Sequence, residues 1–169
     1  MKKILLLFVL AVASLSLAKA QVQSPISMSW KDVATWKSMP NSGFKLSPDG
    51  QWMAYVLTGI ETDGELILQK VADPSSKKSF QIGNTSFASF EFSDNSQWLA
   101  FKEFPKFSEK QANEKAKGKP LKEKLHLIQL ASGDKKTFEG ISGFNFTGEA
   151  ATHLLLTLPK EGSGDAKGS

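Results

Sequence analysis

Apolar residues along this chain come in short runs separated by polar turns, and one of these phrases occurs twice. FKLSPDGQWMAY, from Phe44 to Tyr55, returns as FEFSDNSQWLAF from Phe90 to Phe101. In the first copy Ser47-Pro48-Asp49-Gly50 predicts a tight turn: Pro48 presets φ at the second position, Asp49 bonds locally, and Gly50 suits the exit. Trp52-Met53-Ala54-Tyr55-Val56-Leu57 follows as an unbroken apolar run, which predicts a strand covered on both faces. The second copy keeps the frame, with Ser93-Asp94-Asn95-Ser96 as the turn and Trp98-Leu99-Ala100-Phe101 as the strand.

The likeness extends beyond the hairpin. Leu66 to Val71 matches Leu125 to Leu130. Each is followed by a polar turn (Asp73-Pro74-Ser75-Ser76, then Ser132-Gly133-Asp134), a Lys-Lys pair, and a strand opening Ser79-Phe80 or Thr137-Phe138. A third unit begins at Phe144-Asn145-Phe146-Thr147-Gly148-Glu149 and runs into Leu154-Leu155-Leu156. Four short strands in each unit of roughly 40 to 50 residues predict β-propeller blades, whose sheets are sandwiched between neighbours. The expected fold is therefore all-β: a partial β-propeller over residues 44–169, with two four-stranded blades from about 44 and 90 and the start of a third from about 144. A two-sheet sandwich is the structural alternative, but it does not require the same phrase at matching places. With only the opening of a third blade present, the chain by itself is expected to associate or remain partly unfolded.

The first 20 residues read differently. Met1-Lys2-Lys3 precedes an apolar run to about Leu17, and Ala18-Lys19-Ala20 places small residues two apart. Residues 1–20 are thus expected to be a secretory signal peptide cleaved between Ala20 and Gln21, the run being short for a bilayer span. The chain contains no cysteine, so it offers neither a lipid attachment site nor a disulfide framework. The expected destination is the periplasm or the exterior of a bacterium. Removal of Lys2, Lys3 and Lys19 reduces the formal charge of +4 to a near balance of 18 Lys against 17 acids. Every basic residue is Lys, and without the Arg fork that grips phosphates and guanine edges, nucleic acid is not an expected partner.

Ser47-Pro48-Asp49-Gly50 followed by an aromatic, Ala and another aromatic resembles the propeller repeats of the prolyl oligopeptidase family of serine peptidases, dipeptidyl-peptidase-like members included. Ser29-Trp30-Lys31-Asp32-Val33, leading through Pro40, is similar to the lead-in of secreted bacterial relatives. The resemblance runs from Ser29 to about Lys160 and is shared with TolB-like periplasmic propellers. It implies a noncatalytic gate and scaffold stacked on an α/β-hydrolase domain of the same parent chain, which cleaves short peptides. The alternative is a noncatalytic propeller that binds protein or glycan. The resemblance also implies a Ser-Asp-His triad much later in the chain. The nearest approach here to a Gly-x-Ser-x-Gly nucleophile elbow, Gly140-Ile141-Ser142-Gly143-Phe144, has Phe144 in place of the second glycine.

Other candidates read as structural. His126 and His153 fall in predicted strands without a positioned nucleophile and acid. Glu61-Thr62-Asp63-Gly64-Glu65 lacks the ligand spacing of a calcium loop and reads as a hairpin turn. Gly162-Ser163-Gly164 lacks the strand and helix that flank a phosphate loop. No catalytic, cofactor or metal residue is therefore expected; the signature positions Ser47, Pro48, Asp49, Gly50, Trp52, Ser93 and Trp98 are structural, the two tryptophans being placed at equivalent buried sites. Asn84-Thr85-Ser86 and Asn145-Phe146-Thr147 match the glycosylation pattern, without implying modification in a bacterium. Between Phe101 and Leu125 the second blade is 13 residues longer than the first blade's Tyr55 to Leu66 span, and Lys102 to Lys124 holds eight Lys against four Glu. Ser108 and Gln111 suggest a capping box and Gly118 and Pro120 a stop, so this insertion reads as a solvated loop or frayed polar helix, or as a mobile element at a substrate entrance or a docking patch. In the lead-in, residues 21–43, Trp30, Val33 and Trp36 suggest a short helix packing its aromatic face on the propeller, or a face that recognises glycan or peptide.

Overall fold

The computed structural model describes residues 28–148 and 153–159; the segment 1–20, the Ala20–Gln21 position and the run Gly162-Ser163-Gly164 lie outside the described residues. After a short helix α1 (Trp30–Ala34), four strands β1 (Phe44–Leu46), β2 (Trp52–Leu57), β3 (Gly64–Lys70) and β4 (Asp73–Gly83) form one antiparallel sheet in sequence order. β5 (Phe90–Phe92), β6 (Trp98–Glu103), β7 (Lys124–Gln129) and β8 (Lys135–Glu139) form a second, interrupted by helix α2 (Phe107–Ala116). β9 (Gly143–Phe146) and β10 (Leu154–Thr157) make a hairpin. The molecule is mostly β, built as two successive propeller blades and the opening hairpin of a third.

The repeat is kept at the level of single hydrogen bonds. Phe44 pairs with Tyr55 as Phe90 pairs with Phe101. Ser47 accepts the Trp52 amide on its hydroxyl at 2.9 Å, as Ser93 does for Trp98, again at 2.9 Å. Asp49 Oδ1 accepts the Gln51 amide, and Asn95 Oδ1 that of Gln97. Gly50 and Ser96 occupy the matching left-handed position at φ 69° and 55°. In the third hairpin Phe144 pairs with Leu156, and the Thr147 hydroxyl takes the place of the serines and accepts the His153 amide. His153 thus stands where the tryptophans stand, across a turn one residue longer. Ser47 and Ser93 are 3% and 0% exposed, so each hydroxyl satisfies a strand's first amide from a buried position. Ser93→Ala is expected to lower stability by about 1 to 3 kcal/mol, the cost of orphaning buried donors, with Ser47→Ala similar; urea midpoints equal to the parent's would remove the hydroxyl from the repeat's frame.

The core lies between the sheets. Ala54, Val56, Leu66 and Leu68 of the first blade meet Phe90, Phe92, Leu99, Phe101 and Ile128 of the second. The opposite face of blade two, through Ala100 and Leu125, meets Phe146 with Phe144, Leu154 and Leu156 of the hairpin. The two-faced apolar run is thereby explained for blade two. Blade one leaves the β1 side of its other face open: Phe44 and Leu46 are 45% and 51% exposed, while Phe90 and Phe92 at the same register are 3% and 6% exposed, although Ile67 on that face is buried. Trp52 and Trp98 are half-buried, not fully buried, because each ring sits at the end of its strand beside the turn. Trp52 packs at the margin of the inter-blade core with the Lys70 ammonium 5.5 Å from its ring centroid, and Trp98 packs at the margin of the next core.

Three local expectations are corrected. The β3–β4 turn consists of Val71-Ala72, and Asp73-Pro74-Ser75-Ser76 already belongs to β4, where Lys70 pairs with Asp73. The inserted helix is capped at Lys106, two residues before the expected cap: the Lys106 amide donates to Glu109 Oε2 at 2.9 Å, and Asp63 of the β2–β3 turn accepts the Phe107 amide at 2.8 Å. Its end is where Gly118 suggested, with Lys117 left-handed at φ 49°. Trp30, Val33 and Trp36 do not pack down on the propeller; all three are exposed, and Trp36 lies beyond α1.

One buried charge links the second blade to the third unit. Lys102, 9% exposed, donates to the Ser142 carbonyl at 2.9 Å and pairs with Glu123. Glu123 is one-third exposed, so the two deletions are unequal. Glu123→Ala strands a buried ammonium and is expected to cost about 2 to 4 kcal/mol, whereas Lys102→Met leaves a carboxylate that water can reach and costs about 1 kcal/mol. Equal losses in thermal unfolding would contradict this asymmetry.

Candidate functional site

The rim of the blades opposite the serine-capped turns is built from four segments: the lead-in, the β2–β3 turn, the β4–β5 link and the α2 insertion. Backbone bonds between Ser38 and Thr58, 2.8 and 2.9 Å, fasten the lead-in to the end of β2. Asn84 is the hub of this rim. Its side-chain amide donates to the carbonyls of Ile60 and Thr62 at 3.0 and 2.9 Å, and its backbone amide to Pro105 at 3.0 Å. Lys110 of α2 donates to the Asn84 backbone carbonyl and, at 3.3 Å, to its side-chain oxygen. The Asn84 amide, read as a possible glycosylation acceptor, is thus occupied in holding the β2–β3 turn.

Between these segments lies a cleft of about 950 Å³. Val33 and Trp36 line it from the lead-in, Ile60 from the β2–β3 turn, Phe87 from the β4–β5 link and Leu121 from beyond α2. Phe87 stands edge-on to Phe104 at 5.1 Å between centroids. The insertion reading is resolved in part: α2 walls the cleft through Lys110, Asn113 and Glu114, and buries none of its own residues. Asp63, Asn84 and Lys110 were not legible as a group in the sequence. The one signal was that Asp63 and Asn84 fall at turns of the predicted blades, where rim contacts form.

The remaining candidates are engaged elsewhere. The Ser142 hydroxyl donates to the Thr157 carbonyl at 2.9 Å, tying the hairpin to the preceding link. Ser47, Asp49, Gly50, Trp52, Ser93 and Trp98 lie at the opposite rim, where the Asp49 amide donates to Ser96 Oγ at 3.0 Å across the blades; Pro48 is exposed in its turn. His153 is exposed on the third hairpin. His126 is buried, with one ring nitrogen 2.6 Å from Glu103 Oε2, the other 2.9 Å from Thr137 Oγ1, and the Phe101 ring at 5.0 Å. A neutral imidazole satisfies both contacts, donating to the carboxylate and accepting from the hydroxyl.

Burial holds the His126 pKa below the ordinary histidine value, with Lys135 and Lys124 acting in the same direction and the Glu103 hydrogen bond opposing. The unfolded chain then binds the proton more readily than the folded one. This contribution to stability is complete above the ordinary histidine range and is lost as pH falls through it. Stability of the parent is expected to decline between about pH 7 and 5, and His126→Gln to flatten that slope; an unchanged slope in pH-dependent urea titrations would assign the decline to other groups. The carboxylates of Asp32, Asp49, Glu65 and Asp73, lowered by hydrogen bonds from Ser29, Ser47, Ser79 and Ser75 respectively, act at lower pH in the same sense.

No protein-family model matches the chain, and no curated protein matches it. Among solved structures, the chain is similar to the β-propeller domain of the Trilobed protease from Pyrococcus furiosus, described as having an open velcro topology, at 17% sequence identity and a TM-score of 0.44. The match covers 72% of this chain and 34% of that one, so it spans about a third of the length of that structure.

Proposed function

We propose that this chain is the noncatalytic propeller portion, gate and scaffold, of an exported serine peptidase of the prolyl oligopeptidase family. In this reading it acts with further blades and an α/β-hydrolase domain of the same polypeptide, and the whole hydrolyses short peptides. The observation that carries the reading is the pair of serine-capped hairpins ending in Trp52 and Trp98, matched bond for bond, because the resemblance rests on that phrase. Two further features suit it. The open face of blade one presents Phe44 and Leu46 at the register where blade two buries Phe90 and Phe92, a surface suited to another blade. His126 is held between Glu103 and Thr137 inside blade two, the position of a structural residue. Export follows from the proposed cleavage between Ala20 and Gln21.

The test compares the 169-residue chain with the same chain extended by the sequence that follows it in the gene. The shorter chain is expected to take up no fluorophosphonate label and to leave short peptides intact. The longer one, carrying Gly-x-Ser-x-Gly and then Asp and His, is expected to do both. Labelling of the shorter chain would relocate catalysis. A reading frame that adds blades and then stops would favour the TolB-like binding propeller.

A further inference from the structure

We infer that the rim cleft is a binding groove for a short apolar peptide segment with a free terminal carboxylate, which Lys110 receives. Val33, Trp36, Ile60, Phe87 and Leu121 are between 40 and 79% exposed, come from four stretches of chain, and converge on this one cleft. Singly scattered exposed apolar residues are ordinary; convergence on a concave site is a feature of ligand surfaces. The frame around them is held by hydrogen bonds that do not involve these side chains: Ser38 to Thr58, Asn84 to Ile60 and Thr62, and Asp63 to Phe107. The apolar lining is therefore preorganised, and little ordering cost is left to binding.

The lining selects the occupant. Val33, Ile60 and Leu121 are aliphatic and suit apolar side chains, whereas a sugar ring requires aromatic platforms, of which Trp36 and Phe87 are two among the five. Lys110 sets the polar requirement. Its ammonium has three donors and gives hydrogen bonds to two neutral oxygens of Asn84. The ion pairs among the described residues are Lys37–Glu65, Lys102–Glu123 and His126–Glu103, and none of them includes Lys110. Two carboxylates line the cleft: Glu123 is paired with Lys102, and Glu114, one turn along α2, is exposed to water, while Lys110 is half-buried. A carboxylate beside apolar side chains supplies both the missing counter-charge and the apolar filling. This binding does not depend on a hydrolase domain elsewhere in the polypeptide.

The test is titration of the 169-residue chain, followed by tryptophan emission and by calorimetry, with acetylated leucyl-phenylalanyl-valine bearing a free carboxylate, with its C-terminal amide, and with chitotriose. The free acid is expected to bind saturably and about tenfold more tightly than the amide, the worth of one charge-assisted hydrogen bond. Lys110→Met is expected to abolish that preference and Lys110→Arg to retain most of it. Ile60→Ser, at a side chain too exposed to support the fold, is expected to weaken both peptides about fivefold. Trp30→Ala, outside the cleft, is expected to leave both unchanged. Equal binding of acid and amide by the parent chain overturns the role of Lys110 without need of any variant. Saturable chitotriose with neither peptide bound, or no saturable binding at all, overturns the peptide groove.

Discussion

Replacing Gly83 by alanine is expected to lower the stability of the chain by about 4 kcal/mol or more, the sum of a left-handed backbone, an unavoidable overlap and strained inter-blade bonds. Gly83 has φ 66°, and a Cβ built there overlaps the Phe104 carbonyl oxygen and meets that of Pro105 at 2.9 Å. These are backbone atoms of the second blade, so no rotamer change relieves the contact. Retreat is resisted on both sides of the glycine: the Phe104 amide donates to Ile82 at 2.9 Å and the Asn84 amide to Pro105 at 3.0 Å. Moving the strands apart would also shift Asn84 and with it the β2–β3 turn. Gly50 provides the control, since it has nearly the same φ, 69°, but nothing within 4 Å of a built Cβ. Gly50→Ala is expected to cost only about 1 kcal/mol, the backbone component alone. Urea titration of the two variants separates the effects; comparable losses would mean that the blades do not approach each other at Gly83.

Truncating Phe101 to alanine is expected to cost about 3 to 5 kcal/mol, the range for a large side chain removed from a core that cannot collapse. Phe101 is 1% exposed, packs between the blades, and has Phe80 and His126 rings at 5.4 and 5.0 Å. Neighbours held in two sheets and a hydrogen-bonded imidazole have little freedom to fill the space. The matching residue in blade one is Tyr55, which pairs with Phe44 as Phe101 does with Phe90, yet is half-buried on the open face. Tyr55→Ala is expected to cost about half as much or less, because much of its ring already meets water. Denaturation midpoints lowered equally by the two substitutions would show that the faces of blade one are covered alike.

That pair of aromatics marks the boundary between what was legible along the chain and what was not. The repeat phrase, its turns and the strands on either side could be read directly, because their determinants act over a few residues. Ser47 reaches the Trp52 amide across five positions, Asp49 reaches Gln51 across two, and Gly50 accepts a left-handed φ whatever lies beyond. The same short-range chemistry explains why Ser93 repeats the bond of Ser47 while Asn95 and Ser96 stand in for Asp49 and Gly50. The apolar runs after each turn likewise announced strands designed for two covered faces. Which faces are covered, and by what, was decided only by the tertiary structure: Phe44 and Phe90 occupy one place in the repeat and opposite environments in space. The cleft belongs to the same category. Asp63 caps α2 across 44 positions, Lys110 reaches Asn84 across 26, and Asn84 reaches Ile60 across 24. None of these partners has a local pattern to betray it: the first two bonds exist because two blades stand face to face, and the third because β4 returns beside β3, where Gly64 pairs with Gly83.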